Sequence, residues 1–287
     1  RFFVFLEEEI LTEYGGANPV SSAVSYQYES TTGRLLSKAV WGDVSTANEF
    51  IGTDLGTDKV LEEYQYAAGT TFVSQTTVKD VAQRRVAESR IYYDNLPLLQ
   101  IGTSGNATRK EAWLNTSNSY IGENTSYNSY GLPVTMTDAR GNATTIVYDA
   151  ANLYPQTVTN ALGQQQTFLF DAATGNLREK TDENGVRTRY GYDDLGRLSG
   201  QETPDPADPT LRATVLGINY NDTQFPQSVT ETAYAGGGLS MESKTFMDGF
   251  GRKIQTRSTA EVSNQYSVVS WKYNARGELI EQTNPAY

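Results

Sequence analysis

Apolar and polar positions alternate with a period of two through much of the chain. Ile146 and Tyr148 share one face of an extended segment, as do Phe168 and Phe170, and Tyr190 and Tyr192. Val147, Leu169 and Gly191 fall between them on the other face. This alternation predicts β-strands. Between the strands recurs a small unit that starts with Asp or Asn and ends with a turn residue, usually Gly. Its copies are Asn128–Gly131, Asp138–Gly141, Asp149–Asn152, Asn160–Gly163, Asp171–Gly175, Asp182–Gly185 and Asp193–Gly196. The lead aromatics Tyr127, Tyr148, Phe170 and Tyr192 stand 21, 22 and 22 residues apart, and Gly141, Gly163 and Gly185 stand 22 apart. A fixed period of this kind marks a repeat architecture.

The turn chemistry is local. An Asp or Asn at the first position accepts hydrogen bonds from backbone N–H groups two residues on. Gly at the fourth position takes the positive φ that a hairpin loop with a bulge requires. Asn152 fills the glycine slot in one copy, and the extra residue in Asp171–Gly175 predicts a looser turn. Turns recur about every 11 residues, which leaves roughly seven for each strand, or ~23 Å. Residues 127–203 are therefore expected to form successive antiparallel strands without a long helix. Because the period is even, equivalent positions face the same way. Tyr148, Phe170 and Tyr192 are accordingly expected to stack as a ladder across the sheet.

Outside this block the pattern is less regular. Arg1–Tyr14 fits the last strand of a preceding unit, Gly15–Pro19 a turn or short linker, and Tyr26–Leu35 a degenerate copy of the repeat. Trp41–Lys59 reads as irregular connection. Tyr64–Tyr66 and Thr71–Val78 alternate as strands. Arg85–Tyr93 has helix-forming residues but follows the repeat phase, which favours a strand. Leu96–Tyr130 departs from the period and predicts an excursion around Trp113. Thr203–Pro209 carries three prolines and reads as a rigid loop. Gly236–Gly238 reads as a flexible loop within an insertion. Two further units close the chain, at Asp248–Gly251 and at Asn274–Gly277. Three regions follow: a degenerate part at 1–126, the regular repeats at 127–203, and further repeats at 204–287. Gly185→Val is expected to disrupt its hairpin more than Gly200→Val disrupts a strand.

The segment Tyr192-Asp193-Asp194-Leu195-Gly196-Arg197-Leu198 resembles the Rhs or YD repeat. Tyr92-Tyr93-Asp94-Asn95-Leu96-Pro97 is similar to a segment of insecticidal toxin-complex B components and SpvB-type proteins. So are Met247–Arg252 and Tyr273–Gly277, which include Asp248, Gly251, Arg252, Asn274 and Gly277. The resemblance runs with interruptions from about Ser21 to the C-terminus. It implies an all-β fold of tandem antiparallel hairpins that form a curved, spiralling sheet, part of a hollow shell around a toxic C-terminal polypeptide. The partners it implies are the remainder of the shell, the enclosed toxin segment and a translocation or injection component. It also implies a secreted or cell-surface protein of bacterial origin. The proteolytic segment of those relatives, with its Asp-Pro-x-Gly-Leu core, has no counterpart here.

Composition narrows the chemistry. The 287 residues carry a net charge of −11, with no His and no Cys. Only 38% are apolar, mean hydropathy is −0.52, and Tyr (19) and Gly (25) are abundant, as many short strands and turns require. The acidic balance argues against sequence-independent nucleic-acid binding. No run of 18 apolar residues predicts a transmembrane helix, and the start lacks the pattern of a signal peptide, so the chain reads as a piece of a longer protein. Without His or Cys there is no Ser-His-Asp or Cys-His site and no imidazole or thiolate metal site. The adjacent acids Asp193-Asp194 and Glu62-Glu63 point to opposite faces of a strand, so they do not converge as a glycosidase pair. Asp182–Gly185 supplies too few oxygens for calcium and reads as a turn. Five Asn-x-Ser/Thr triplets read as chance occurrences in a chain rich in these residues. Arg34, Arg197 and Arg252, each after a turn glycine, read as repeat signature. The expectation is a non-catalytic wall segment without cofactors or metal, which neither binds nucleic acid nor inserts into a membrane. A carbohydrate-binding or adhesion module built from the same repeats is the alternative.

Overall fold

The computed structural model describes residues 5–14, 20–47, 50–208, 210–236, 238–260 and 265–285. Every regular element among them is a β-strand. In chain order these are β1 (Glu8–Glu13), β2 (Val20–Tyr28), β3 (Leu35–Ala47), β4 (Phe50–Asp54), β5 (Val60–Tyr66), β6 (Val73–Lys79), β7 (Arg85–Tyr93), β8 (Ala107–Leu114), β9 (Ser119–Tyr127), β10 (Pro133–Thr137) and β11 (Ala143–Tyr148). They continue as β12 (Pro155–Thr159), β13 (Gln165–Phe170), β14 (Leu177–Thr181), β15 (Arg187–Tyr192), β16 (Leu198–Pro204), β17 (Arg212–Asn221), β18 (Gln227–Gly236), β19 (Leu239–Met247), β20 (Lys253–Thr259), β21 (Tyr266–Tyr273) and β22 (Leu279–Gln282).

Two compact units divide the chain, residues 1–146 and 147–287. In the first, antiparallel pairing runs β1–β2–β3, passes from β3 to β5, and continues strand by strand to β11. The short β4 pairs with the distal half of the long β3. In the second, every strand from β12 to β22 pairs antiparallel with the next. Among the described residues of each unit all strands belong to one continuous set of ladders, with no second layer of regular structure. The buried apolar residues among those described are Ala23, Ala39, Val44, Ala67 and Tyr93, all in the first unit. In the second, Val147 and Leu169 stay 56% exposed, while Phe168, Phe170, Tyr190 and Tyr192 are half-buried. Cohesion therefore comes from backbone ladders and from side chains packed laterally within each face.

The turns form as the sequence chemistry requires. In Asp138–Gly141 the Gly141 N–H donates to the Asp138 carbonyl (3.0 Å) and the Asp138 N–H to the Asn142 carbonyl (3.0 Å). The Asp138 carboxylate accepts the Arg140 and Asn142 N–H groups at 2.9 and 2.8 Å. The same closure recurs at Asn128, Asn160, Asp182, Asp193, Asp248 and Asn274. Asn152 holds φ 53° in its glycine slot. The Asp171 turn is one residue wider, with the Gly175 N–H reaching back four residues to the Asp171 carbonyl. Arg85–Tyr93 is a strand, as the repeat phase predicts.

Several expectations need correction. Among the described residues, Trp41–Lys59 is irregular only at 55–59: β3 continues through Trp41 to Ala47 and pairs with β4 over Phe50–Asp54. The excursion lies at Leu96–Asn106, ahead of Trp113, which sits in β8 opposite Tyr120. Asp94 organises that loop by accepting the N–H groups of Gly102, Gly105 and Asn106, each at 2.9 Å. Strand β16 extends through Pro204, which pairs with Arg212 as the last residue of its strand, and the loop begins at Asp205. Gly236 and Gly238 belong to a tight hairpin in which Gly236 opposes Leu239. Glu8–Glu13 pairs with β2 and belongs to this sheet. Gly15–Pro19, Pro209, Gly237 and residues 1–4 lie outside the described residues.

The premise that Gly200 tolerates Val also fails. A Cβ there would stand 2.9 Å from the Leu216 carbonyl oxygen, beside the register shift at Gln201/Glu202, so the backbone would have to move. The clean test is Gly185, where φ is +80° and nothing lies within 4 Å of the added Cβ. There the whole cost is conformational. Gly185→Ala should lose about 1–2 kcal/mol in urea unfolding. Gly185→Asn should lose less, because Asn enters the left-handed region more readily.

Candidate functional site

One edge of each unit is lined by the turns that follow the repeat tyrosines, and there a side-chain motif recurs. The Tyr66 hydroxyl donates to the Leu35 carbonyl at 2.7 Å, Tyr93 to Val73 at 2.7 Å, and Tyr127 to Ala107 at 2.9 Å. In the second unit Tyr192 donates to Leu177 at 2.9 Å, Tyr220 to Leu198 at 3.1 Å, and Tyr273 to Lys253 at 3.0 Å. Each acceptor is the first residue of the neighbouring strand. The phenol thus caps a carbonyl where the ladder begins.

Three of these tyrosines carry an arginine on the ring. Arg34 lies over Tyr66 at 5.1 Å, Arg197 over Tyr220 at 4.0 Å, and Arg252 over Tyr273 at 4.6 Å. The same guanidinium holds its own turn: Arg34 pairs with Glu29 at 2.7 Å, Arg197 with Asp193 at 2.8 Å, and Arg252 with Asp248 at 2.7 Å. Arg197 also reaches Asp222 on the next turn of that edge, at 2.6 Å. These arginines are more than a sequence signature, because each clasps its turn to the tyrosine of the neighbouring strand. The Arg252 guanidinium holds the Asp248 carboxyl below the usual carboxylate range, and Asp222 and Asp193 raise Arg197. Where Phe170 replaces Tyr, Tyr154 stacks on it at 4.8 Å.

The expected ladder of Tyr148, Phe170 and Tyr192 does not form. Residues 22 apart lie on second-neighbour strands, about 9.6 Å from one another. Phe170 stacks on Tyr154 instead, and Tyr192 binds the Leu177 carbonyl. The Asp182 carboxylate is turned inward onto the Asn184 and Val186 N–H groups, as a turn cap. Glu63 pairs with Lys79. Among the described residues no group of three or more acidic side chains is placed to hold a metal ion, and no helix is long and apolar enough to cross a membrane. A shallow cleft of about 400 Å³ in the second unit is floored by Gly191, Gly200 and Gly217 and flanked by Arg189, Glu202 and Thr214.

Sequence reasoning missed a network on one face of β7, β8 and β9. Glu88 and Glu111 are 7% and 8% exposed. Glu88 accepts from Arg85 (2.8 Å), Arg90 (2.8 Å) and the Tyr120 hydroxyl (2.6 Å). Glu111 accepts from the Tyr92 hydroxyl at 2.8 Å and pairs with Arg109. Arg85 stacks on Trp113 at 4.0 Å and Arg90 on Tyr120 at 3.9 Å. Burial pushes the Glu88 carboxyl up, but the Tyr120 hydroxyl and the two guanidiniums outweigh it and leave the group below its ordinary value. The available signal was opposite charge two residues apart on one strand, Glu88 with Arg90 and Arg109 with Glu111. Tyr220 and Asp222 were also missed, although Tyr220-Asn221 repeats the Tyr-Asn pair of Tyr127-Asn128.

The clasp predicts a ranking of substitutions. Arg197→Lys keeps the charge but loses the fork that serves Asp193 and Asp222. It should lower the melting temperature, followed by circular dichroism, more than Arg178→Lys, whose arginine is 65% exposed and 3.8 Å from Asp171. Equal melting temperatures would contradict the clasp.

Comparison with known proteins places this geometry. Residues 170–206 match the family model of the RHS repeat. No curated protein sequence matches the chain. Among solved structures, the crystal structure of TcdB2-TccC3 aligns over 97% of this chain and 21% of its own, at 12% identity and a TM-score of 0.68. TcdB2-TccC3-Cdc42 aligns over 98% and 19%, at 15% identity and 0.53. The Photorhabdus luminescens Tc holotoxin pore aligns over 96% and 18%, at 15% identity and 0.51. The chain thus spans about a fifth of the length of these structures. Residues 170–206 carry an RHS repeat, and the fold of the chain is that of the aligned part of the toxin-complex chains.

Proposed function

We propose that this chain is a section of the wall of an RHS-repeat shell that encloses a toxic polypeptide before delivery, and that it has no catalytic activity of its own. The observation that carries this reading is the fold, shared with the TcdB2-TccC3 chain over 97% of the residues here. The shape of each unit supports it. A single-layer sheet suits a partition better than a globular catalyst, which needs a walled, preorganised pocket. The chemistry agrees, since the sequence lacks His and Cys and the buried acids Glu88 and Glu111 are engaged by arginine and tyrosine. The mechanism is steric: the wall keeps a cargo chain apart from its surroundings and from proteases. The partners are the remainder of the shell, the enclosed segment and a delivery component of the toxin-complex kind, and the assembly acts outside the producing cell or at its surface. The regions 1–126, 127–203 and 204–287 are proposed as successive stretches of that wall.

Protease protection tests the proposal. A cargo segment fused after Tyr287 should be digested when attached to this chain alone. The same segment should survive inside the full gene product that contains the chain. Protection by the isolated chain as a monomer would show that it closes by itself. Digestion in the full gene product would remove the containment role.

A further inference from the structure

The network across β7, β8 and β9 has a consequence for how such a wall responds to acid. Glu88 is the node, with a side chain only 4% exposed. From its own strand Arg85 and Arg90 face it; from β9 the Tyr120 hydroxyl reaches it across β8. On β8, Glu111 stands opposite Arg90 and is itself engaged by Arg109 and Tyr92. On β6 the residue opposite Glu88 is Thr77, and the ion pair of that strand is Lys79 with Glu63 of β5. The Tyr120 hydroxyl also accepts from Arg85 at 2.9 Å, and Arg85 and Trp113 both donate to Asn118 at 3.0 Å. Among the described residues, the charged groups that engage Glu88 directly are thus cations, and the linkage spans three strands.

We infer that this network is an acid-tolerant latch, closed from about pH 8 to about pH 5 and opened only when stronger acid protonates the Glu88 carboxylate. The sign follows from linkage. A carboxylate held below its ordinary value in the folded state contributes stability that is complete above the unfolded value of about 4.3. That contribution is lost as pH falls toward the folded value. The chain contains no histidine to titrate between those limits and no cysteine to form a disulfide. Turn carboxylates point the same way: Asp138, Asp171, Asp193 and Asp248 are all held below the ordinary value. Resting on the wall reading, the latch implies that mild acidity does not open this section, so release there requires a trigger other than a proton or a thiol.

Trp113, stacked on Arg85, reports on the latch. Its fluorescence can be isolated in a Trp41→Phe/Trp271→Phe background, since the chain has three tryptophans. The signal should be flat from pH 8 to about 5 and change in one step below about pH 4.5. Tyr120→Phe removes a hydrogen bond to the charged carboxylate and should move the midpoint up by about half a pH unit or more. Tyr127→Phe removes a bond to the Ala107 carbonyl, which does not titrate, and should leave the midpoint in place. A step between pH 5 and 7 in the parent, or equal midpoints in the two variants, would overturn the latch. These measurements need no cargo. Failure of protection with the predicted titration would remove the wall reading and leave the latch standing.

Discussion

A sheet with no second layer of regular structure packed on it has to be held together within its own plane. In this protein the constraint governs nearly everything else. Among the described residues, the apolar side chains buried outright, where the hydrophobic effect that usually dominates folding acts in full, are Ala23, Ala39, Val44, Ala67 and Tyr93. What remains is lateral: ladder hydrogen bonds, cross-strand pairs, and the junctions where one hairpin meets the next. Those junctions are where a strand's first carbonyl would otherwise face solvent, and there the repeat tyrosine donates its hydroxyl. The arginine that follows the turn glycine then ties that tyrosine to the turn carboxylate. Hairpin formation and hairpin addition are thus coupled through one edge.

The same constraint explains where charge sits. Aspartates concentrate in the turns, where backbone N–H groups and arginines engage them, as at Asp138, Asp193 and Asp248. On the strands, acids are embedded among cations: Glu179 between Arg187 and Arg189, both at 3.1 Å, and Glu88 between Arg85 and Arg90. Arginine suits this role because its flat guanidinium bonds a carboxylate while stacking on an aromatic ring. Threonine and serine pairs, such as Thr245 with Thr256 at 3.1 Å, fill the intervening positions with mutual hydrogen bonds.

What was legible in the sequence was what is decided locally. The turns at Gly141, Gly163 and Gly185 follow from five consecutive residues, so the strands between them follow as well. Features set by pairing were not legible. The Glu88 network exists only because β7, β8 and β9 are neighbours, and the loop at Leu96–Asn106 that sets that register breaks the period. The length of β3 depends on β4 folding back onto it, which the Gly, Thr and Asp content of that stretch conceals. Gly200 looked like an ordinary strand position because a bulge at its partner strand leaves no trace in the local sequence. The aromatic ladder failed because a 22-residue period counts two strands, while side-chain contact needs one.

The most direct test of the wall reading is the structure of the full gene product that contains this chain, by electron cryo-microscopy. The account predicts that the strands described here continue into further hairpins, with one face of the sheet toward an internal space that holds density for an enclosed polypeptide. A sheet covered on both faces by other folded layers, with no enclosed space, would contradict it.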